Sequence, residues 1–215
     1  MGLPEPWHPA TQRTPLVVYG AASAVGAFAI QLARLANLHP IIGVAGKGIP
    51  FAEGLIDASK GDAIVDYREG DEAVRAAMRD ALQKAGCDKA SYAFDAISEK
   101  GSHENVVAVL DPHGFVTNVL PPERFATEGF KFPDTVSQSM TMVGSAHGDD
   151  ADFAFVYFRY LARALEKGVF KPHPYEVVPG GLAGVSTGLQ NLKEGKASAV
   201  KYVFRIQDTE GAGKD

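Results

Sequence analysis

The sequence predicts an α/β fold: a doubly wound, parallel sheet of six strands followed by a smaller α+β appendage. Two observations carry this. Short β-branched runs alternate with segments of helical period, the signature of parallel strands joined by helical crossovers. The first of those runs also passes through a turn of small residues straight into a helix. The pattern changes after Gly148, where strands no longer alternate regularly with helices. The chain has 215 residues, enough for one large domain with a smaller addition.

The elements follow in order. Pro15 to Gly20 reads as the first strand. Ser23 opens a helix whose apolar positions, Val25, Phe28, Ala29, Leu32 and Ala36, fall on one face. A second strand is expected at Pro40–Val44, a helix near Phe51–Ser59 and a third strand at Ala63–Asp66. The next helix runs from about Asp71 to Ala85. Val74, Met78, Ala81 and Ala85 form its apolar face, Asp71 and Glu72 lie in its first turn and Lys84 in its last, which suits the helix dipole. A fourth strand at Ser91–Ala96, a helix over Ser102–Leu110 and a fifth strand at Gly114–Leu120 follow, the last stopped by Pro121 and Pro122. The sixth strand is placed at Ser139–Val143. Beyond it, Asp149, Asp150 and Asp152 are expected to cap a long helix with the stripe Phe153, Val156, Tyr157, Tyr160, Leu161, Ala164 and Leu165, ended by Gly168. Leu182, Val185, Leu189 and Leu192 mark another helix, and Ser198–Ile206 a last strand. The organisation expected is a linker over 1–14, the sheet domain over 15–148, a C-terminal segment over 149–207 and a polar, frayed tail over 208–215.

Composition excludes several classes. The chain is 46% hydrophobic and 22% charged, ordinary for a globular protein, and its net charge of −5 argues against a nucleic-acid partner. One cysteine, Cys87, rules out an internal disulfide framework and points to a reducing, cytoplasmic setting. The first fourteen residues hold three prolines and no apolar core, unlike a signal peptide. The uncharged run Thr14–Ala33 is as long as a membrane span. It contains Pro15, a Gly20-Ala-Ala-Ser turn and Gln31, and so reads as a buried strand, a turn and the start of a helix, with no membrane partner.

The strongest chemical signal is Tyr19-Gly20-Ala21-Ala22-Ser23-Ala24-Val25-Gly26. It leaves a strand and enters a helix, the context in which a Rossmann-type turn holds a pyrophosphate. Gly20 permits the tight turn, the small residues Ala21, Ala22, Ser23 and Ala24 let backbone amides approach the phosphates, and Gly26 lets the helix pack closely on the sheet. A merely tight strand-to-helix turn would use the same small residues. A site for the unphosphorylated coenzyme wants an acidic residue near the end of the second strand. No Asp or Glu occurs from Ala27 to Ala52, and Lys47 stands there instead. A lysine attracts a 2′-phosphate, so NADPH is the expected coenzyme. Tyr67 and Arg68 close the third strand and are candidates to flank the adenosine, although Arg68 is equally placed to pair with Glu69.

The run Pro15–Ala33, with Asp66-Tyr67-Arg68, Phe94-Asp95-Ala96 and Gly195–Lys201, resembles the medium-chain dehydrogenases/reductases, in particular the zinc-independent quinone oxidoreductases and fungal trans-enoyl reductases. The resemblance spans about Leu3 to Ile206. It implies hydride transfer from NADPH to an enone, quinone or enoyl thioester. It places the pyrophosphate on Ala22–Val25, the adenosine end on Lys47 and Tyr67, and the nicotinamide side on the backbone of Val119, Leu120, Gly144 and Ser145, with Ser198 and Lys201 reaching back from a late segment. It also implies a possible homodimer, and an N-terminal GroES-like catalytic domain that this chain lacks. The competing expectation is a catalytically inactive dinucleotide-binding module acting as a sensor or interaction protein.

Other constellations are weak. Six histidines are scattered, and only His147 falls near a predicted strand end over the crevice, so no metal site is expected. No tyrosine has a lysine four positions later, which removes the short-chain dehydrogenase pair, and the missing acid near the second strand removes a methyltransferase. Asp95 reads equally as a functional or a structural carboxylate. No catalytic residue is assigned.

Overall fold

A computed structural model describes residues 2–213. Met1, Lys214 and Asp215, which belong to the expected linker and tail, lie outside the described residues. Two compact units divide the chain, residues 1–171 and 172–215.

The first unit is built on six parallel strands: β1 (Leu16–Tyr19), β2 (Ile41–Ala45), β3 (Ala63–Asp66), β4 (Ala90–Asp95), β5 (Leu110–Asn118) and β6 (Ser137–Met140), in the order β3-β2-β1-β4-β5-β6. Their helices are α1 (Ala24–Leu35), α2 (Ile49–Glu53), α3 (Asp71–Lys84), α4 (Ser102–Val107), α5 (Pro122–Phe125) and α6 (Ala151–Glu166). All five pairings are parallel, so the carboxyl ends of the six strands share one edge, and the reversal of strand order between β1 and β4 puts a switch point at its middle. One face of the sheet packs Val17, Ile42 and Val116 against Val74, Met78 and Leu82 of α3 and Val106 of α4. The other packs Leu16, Val18 and Ile41 against Ala27, Ile30 and Ala33 of α1. Each fully buried Ile or Leu of these layers contributes about 1.5–3 kcal/mol.

Several boundaries differ from the sequence expectation. The buried face of α1 is Gly26, Ala27, Ile30 and Ala33, whereas Val25 is 48% exposed. That helix is apolar nearly all round, so period alone does not choose its face; small residues do, because they let it lie close to the sheet. The expected helix over Phe51–Ser59 is broken into α2 and a 3₁₀ turn at Ala58–Lys60. Asp57 caps that turn by accepting the Ser59 amide (3.1 Å). β5 starts four residues early and carries an irregularity where Asp111-Pro112-His113 interrupts pairing with β4. β6 lies two residues earlier than expected, and all four of its residues are exposed at the sheet edge. Val143 to His147 form a 3₁₀ turn instead of continuing it.

Asp150 holds the N-cap position of α6, but no side-chain capping bond forms. Of the α6 stripe only Ala164 is fully buried. Tyr157 and Tyr160 receive the ring of Trp7 (centroids 5.1 and 5.5 Å), while Phe153, Phe155, Val156 and Phe158 face solvent. No helix among the described residues is long and apolar enough to cross a membrane.

The second unit pairs β7 (Tyr175–Val177) in parallel with β8 (Lys201–Val203), the core of the expected last strand. Its helix α7 (Val185–Lys193) turns Gly188 inward against the ring of Phe204 and leaves Leu189 and Leu192 exposed, the reverse of the expected face. The Thr209 hydroxyl accepts the Leu182 amide (2.9 Å), so the start of the expected frayed tail is tied down.

Candidate functional site

The carboxyl edge of the sheet gathers the residues that follow each strand. After β1, Gly20 adopts φ +86°, a left-handed conformation that favours glycine. A β-carbon there would lie 2.8 Å from the Ile97 side chain. The chain then climbs into α1. Gly20 and Ala21 donate their amides to the Val44 carbonyl (3.0 and 2.8 Å), and Ser23 donates to Gly20 (2.9 Å). The Ser23 hydroxyl is the N-cap of α1, accepting the Gly26 amide at 3.0 Å. Gly26 packs so closely that a β-carbon would collide with the Gly20 carbonyl. Three amides of the turn, those of Ala22, Ala24 and Val25, have no acceptor among the described residues. They lie at the positive end of a twelve-residue helix that has no acidic side chain in its first turn.

Beyond β2 and β3 the structure brings Lys47 and Tyr67 to neighbouring strand ends, since Ala45 and Asp66 are register partners. The Tyr67 amide donates to the Ala45 carbonyl (3.1 Å), and its ring covers Gly46. Lys47 is exposed and forms no ion pair with any described residue. Arg68 pairs with Asp66 and not with Glu69: two guanidinium nitrogens reach the carboxylate at 2.6–3.0 Å. That pairing holds the Asp66 carboxyl below its ordinary range and raises the guanidinium above its own. Among the described residues, Lys47 beside this pair has no counter-ion.

Past β4 the sequence reading left Asp95 undecided, and the structure shows what it does. Asp95 is fully buried; one carboxylate oxygen accepts the amides of Ile97 (3.0 Å) and Ser98 (2.8 Å), the other the Ser102 hydroxyl (2.6 Å). Burial pushes its carboxyl up despite those donors. Ser98, which sequence reasoning missed, takes φ +56° and accepts the Val119 amide at 2.9 Å. Residue type gave no signal of this conformation. Val119 and Leu120 follow β5 and are half-buried. The Val119 carbonyl and the Leu120 amide have no partner among the described residues, and a trans peptide points them in opposite directions.

The remaining expected positions belong to later elements of the chain. Gly144 and Ser145 sit in the 3₁₀ turn after β6, where both the amide and the hydroxyl of Ser145 donate to the Met142 carbonyl (3.2 and 2.8 Å). His147 ends that turn, exposed. Ser198 and Lys201 belong to the second unit, where the Lys201 amide donates to Pro174 (2.9 Å). Among the described residues no three His, Cys, Asp or Glu side chains are grouped so as to hold a metal ion.

An open parallel sheet whose strand order reverses between β1 and β4, with helices on both faces, is a doubly wound α/β fold. No family model matches the chain. It is 42% identical over 187 residues to trans-enoyl reductase fsr4 of Gibberella fujikuroi, covering 86% of this chain and 53% of that protein. It is 30% identical over 214 residues to a trans-enoyl reductase of Alternaria alternata, covering 96% and 59%. Among solved structures it superimposes on the CurF ER cyclopropanase of the curacin A biosynthetic pathway with a TM-score of 0.67 at 17% identity, covering 90% of this chain and 56% of that one. A quinone oxidoreductase of Pseudomonas syringae pv. tomato gives 0.65 at 16% identity, covering 92% and 58%. The chain is therefore a homologue of the fungal trans-enoyl reductases over the stretch it shares with them, and its fold is that of the two solved structures above. It spans about half the length of the curated relatives it matches.

Proposed function

We propose that this chain holds NADPH for an enoyl-reductase type of oxidoreductase, in which hydride passes to a polarised alkene or carbonyl such as an enoyl thioester or a quinone. The observation that carries it is the set of three unpartnered amides, Ala22, Ala24 and Val25, at the N-terminus of α1. The residues present fit a diphosphate: Gly20 and Gly26 let the turn close tightly where β-carbons would collide with Ile97 and the Gly20 carbonyl, and the helix end favours an anion. The Ser23 hydroxyl, spent on Gly26, holds the turn in shape and contributes its position more than a bond to ligand.

At the adenosine end, Lys47 offers an uncompensated ammonium to a 2′-phosphate and Tyr67 a partly exposed ring to the adenine or ribose. Asp66 would repel that phosphate, and Arg68 neutralises it. The backbone beyond β5 at Val119 and Leu120 is assigned to the nicotinamide side, together with Gly144 and Ser145 beyond β6. The bound coenzyme supplies the hydride, and the protein supplies orientation and electrostatics. Residues 15–148 form the coenzyme domain in this reading, with 1–14 a linker and 149–207 a segment that packs on the part of the relatives this chain does not span.

Titration calorimetry with NADPH and NADH tests the assignment. Lys47→Glu is expected to weaken NADPH by about tenfold or more, the worth of one charge-assisted contact, and NADH by much less. Equal losses for both coenzymes remove Lys47 from the 2′-phosphate. A module that binds the dinucleotide without turnover, as a sensor or interaction protein, is the alternative. Turnover of enones, quinones or enoyl thioesters by this chain alone excludes it.

A further inference from the structure

Ser98 is a residue in an unfavourable conformation whose bonds explain why it is there. A non-glycine residue at φ +56° costs of order 1 kcal/mol or more, and Lys100, two residues on, repeats it at φ +55°. Such strain persists only where surrounding bonds impose it. Here they are explicit. Asp95 fixes the loop by accepting the Ile97 and Ser98 amides, and Ser102 closes its other oxygen. The Ser98 hydroxyl donates to the Asp95 carbonyl at 2.9 Å and accepts the Val119 amide at 2.9 Å. It is completely buried. One hydroxyl thus joins the end of β4 to the backbone just past β5. The same loop rests Ile97 on Gly20 of the phosphate turn.

We propose that Ser98 is a positioning residue for the nicotinamide half of the coenzyme: its hydroxyl, held by the Asp95 loop, takes up the Val119 amide and so fixes how the Val119–Leu120 peptide faces the crevice. The inference rests on the coenzyme reading above and deepens it. With its N–H engaged by Ser98, Val119 can offer ligand only its carbonyl. Release of that bond frees the peptide to rotate, because β5 ends at Asn118 and no strand partner holds residue 119. The adenosine end, on Lys47 and Tyr67 beyond β2 and β3, lies across β1 from this clamp, which joins the ends of β4 and β5.

The experiment compares the wild-type chain with Ser98→Ala and Ser98→Gly, using NADPH and 2′,5′-ADP as probes. NADPH is followed by nicotinamide fluorescence and calorimetry, 2′,5′-ADP by calorimetry. Both variants are expected to weaken NADPH by about three- to tenfold, the worth of one hydrogen bond, and to lose the wild-type change in nicotinamide fluorescence. Binding of 2′,5′-ADP is expected to stay within about twofold, since a single surface-distant change leaves an independent site alone. Glycine relieves the strained φ while removing the hydroxyl, so wild-type NADPH binding by Ser98→Gly overturns the proposal. Equal weakening of both probes by Ser98→Ala overturns it too, by showing a general defect. A wild-type chain that binds neither probe overturns the coenzyme reading itself, a result distinct from both.

Discussion

The ring of Tyr67 lies against the backbone of Gly46, so close that a β-carbon on Gly46 would sit 2.7 Å from a ring carbon. Two strand ends are thereby joined beside Lys47. The contact is possible because residue 46 has no side chain, and because Tyr67, 50% exposed, has room to lie down on it.

Gly46→Ala therefore displaces the ring without breaking the fold. Stability in urea is expected to fall by about 1 kcal/mol or less, because the atoms met belong to a half-exposed ring that can turn aside. Affinity for NADPH is expected to fall by about three- to tenfold if the ring supports the adenosine end. Calorimetric titration beside a urea melt reads both quantities. Unchanged affinity removes Tyr67 from the site.

Gly26→Ala acts oppositely, on stability first. Its β-carbon would strike the Gly20 carbonyl, a backbone atom with no freedom to withdraw. Overpacking of this kind costs about 1–3 kcal/mol. Chemical denaturation is expected to show that loss, as the turn between β1 and α1 is forced open. A melt matching wild type contradicts the packing described for α1.

Asp95 gives a pH dependence whose sign follows from burial. Its folded carboxyl titrates above the ordinary value of 3.8, so between that value and the raised one the folded chain holds more protons than the unfolded. Stability from this group therefore falls as pH rises through that window. Asp95→Asn keeps an acceptor for the loop amides and removes the buried charge. The stability of the variant relative to wild type is expected to improve from pH 4 to pH 7 in urea unfolding. A difference independent of pH shows that Asp95 ionises without penalty.

The outward side of α6 carries Phe155 and Phe158, both exposed. Contiguous exposed aromatics bind apolar dyes. Phe155→Glu with Phe158→Glu is expected to reduce dye fluorescence of the folded chain by about half or more while moving the urea midpoint little, as surface changes do. Undiminished dye fluorescence places the dye-binding surface elsewhere.

Much of the sheet was legible because buried parallel strands are runs such as Leu16-Val-Val-Tyr19 and Ile41-Ile-Gly-Val44, which have few other uses. The turn at Gly20 was legible because the tight geometry restricts residue type. The face of α1 was not, since Val25, Phe28 and Ile30 are equally apolar and only proximity to the sheet selects among them. β6 slid by two residues because an exposed edge strand has no burial to fix its register. The clamp from Asp95 through Ser98 to Val119 lay out of reach for another reason: serine carries no mark of a positive φ, and the bond joins residues twenty-one apart. The Asp66–Arg68 pair was hidden by Glu69, which sequence proximity makes an equal competitor.

Trp7 is the only tryptophan in the chain, and it is packed on Tyr157 and Tyr160 of α6 with 49% of its surface still in contact with water. Indole emission from this protein is consequently a single-site reporter of whether the leading segment is seated on α6. A spectral shift upon adding a nucleotide would mean that the ligand is felt as far as that seat, and a silent spectrum would leave occupancy of the crevice to be followed by other probes.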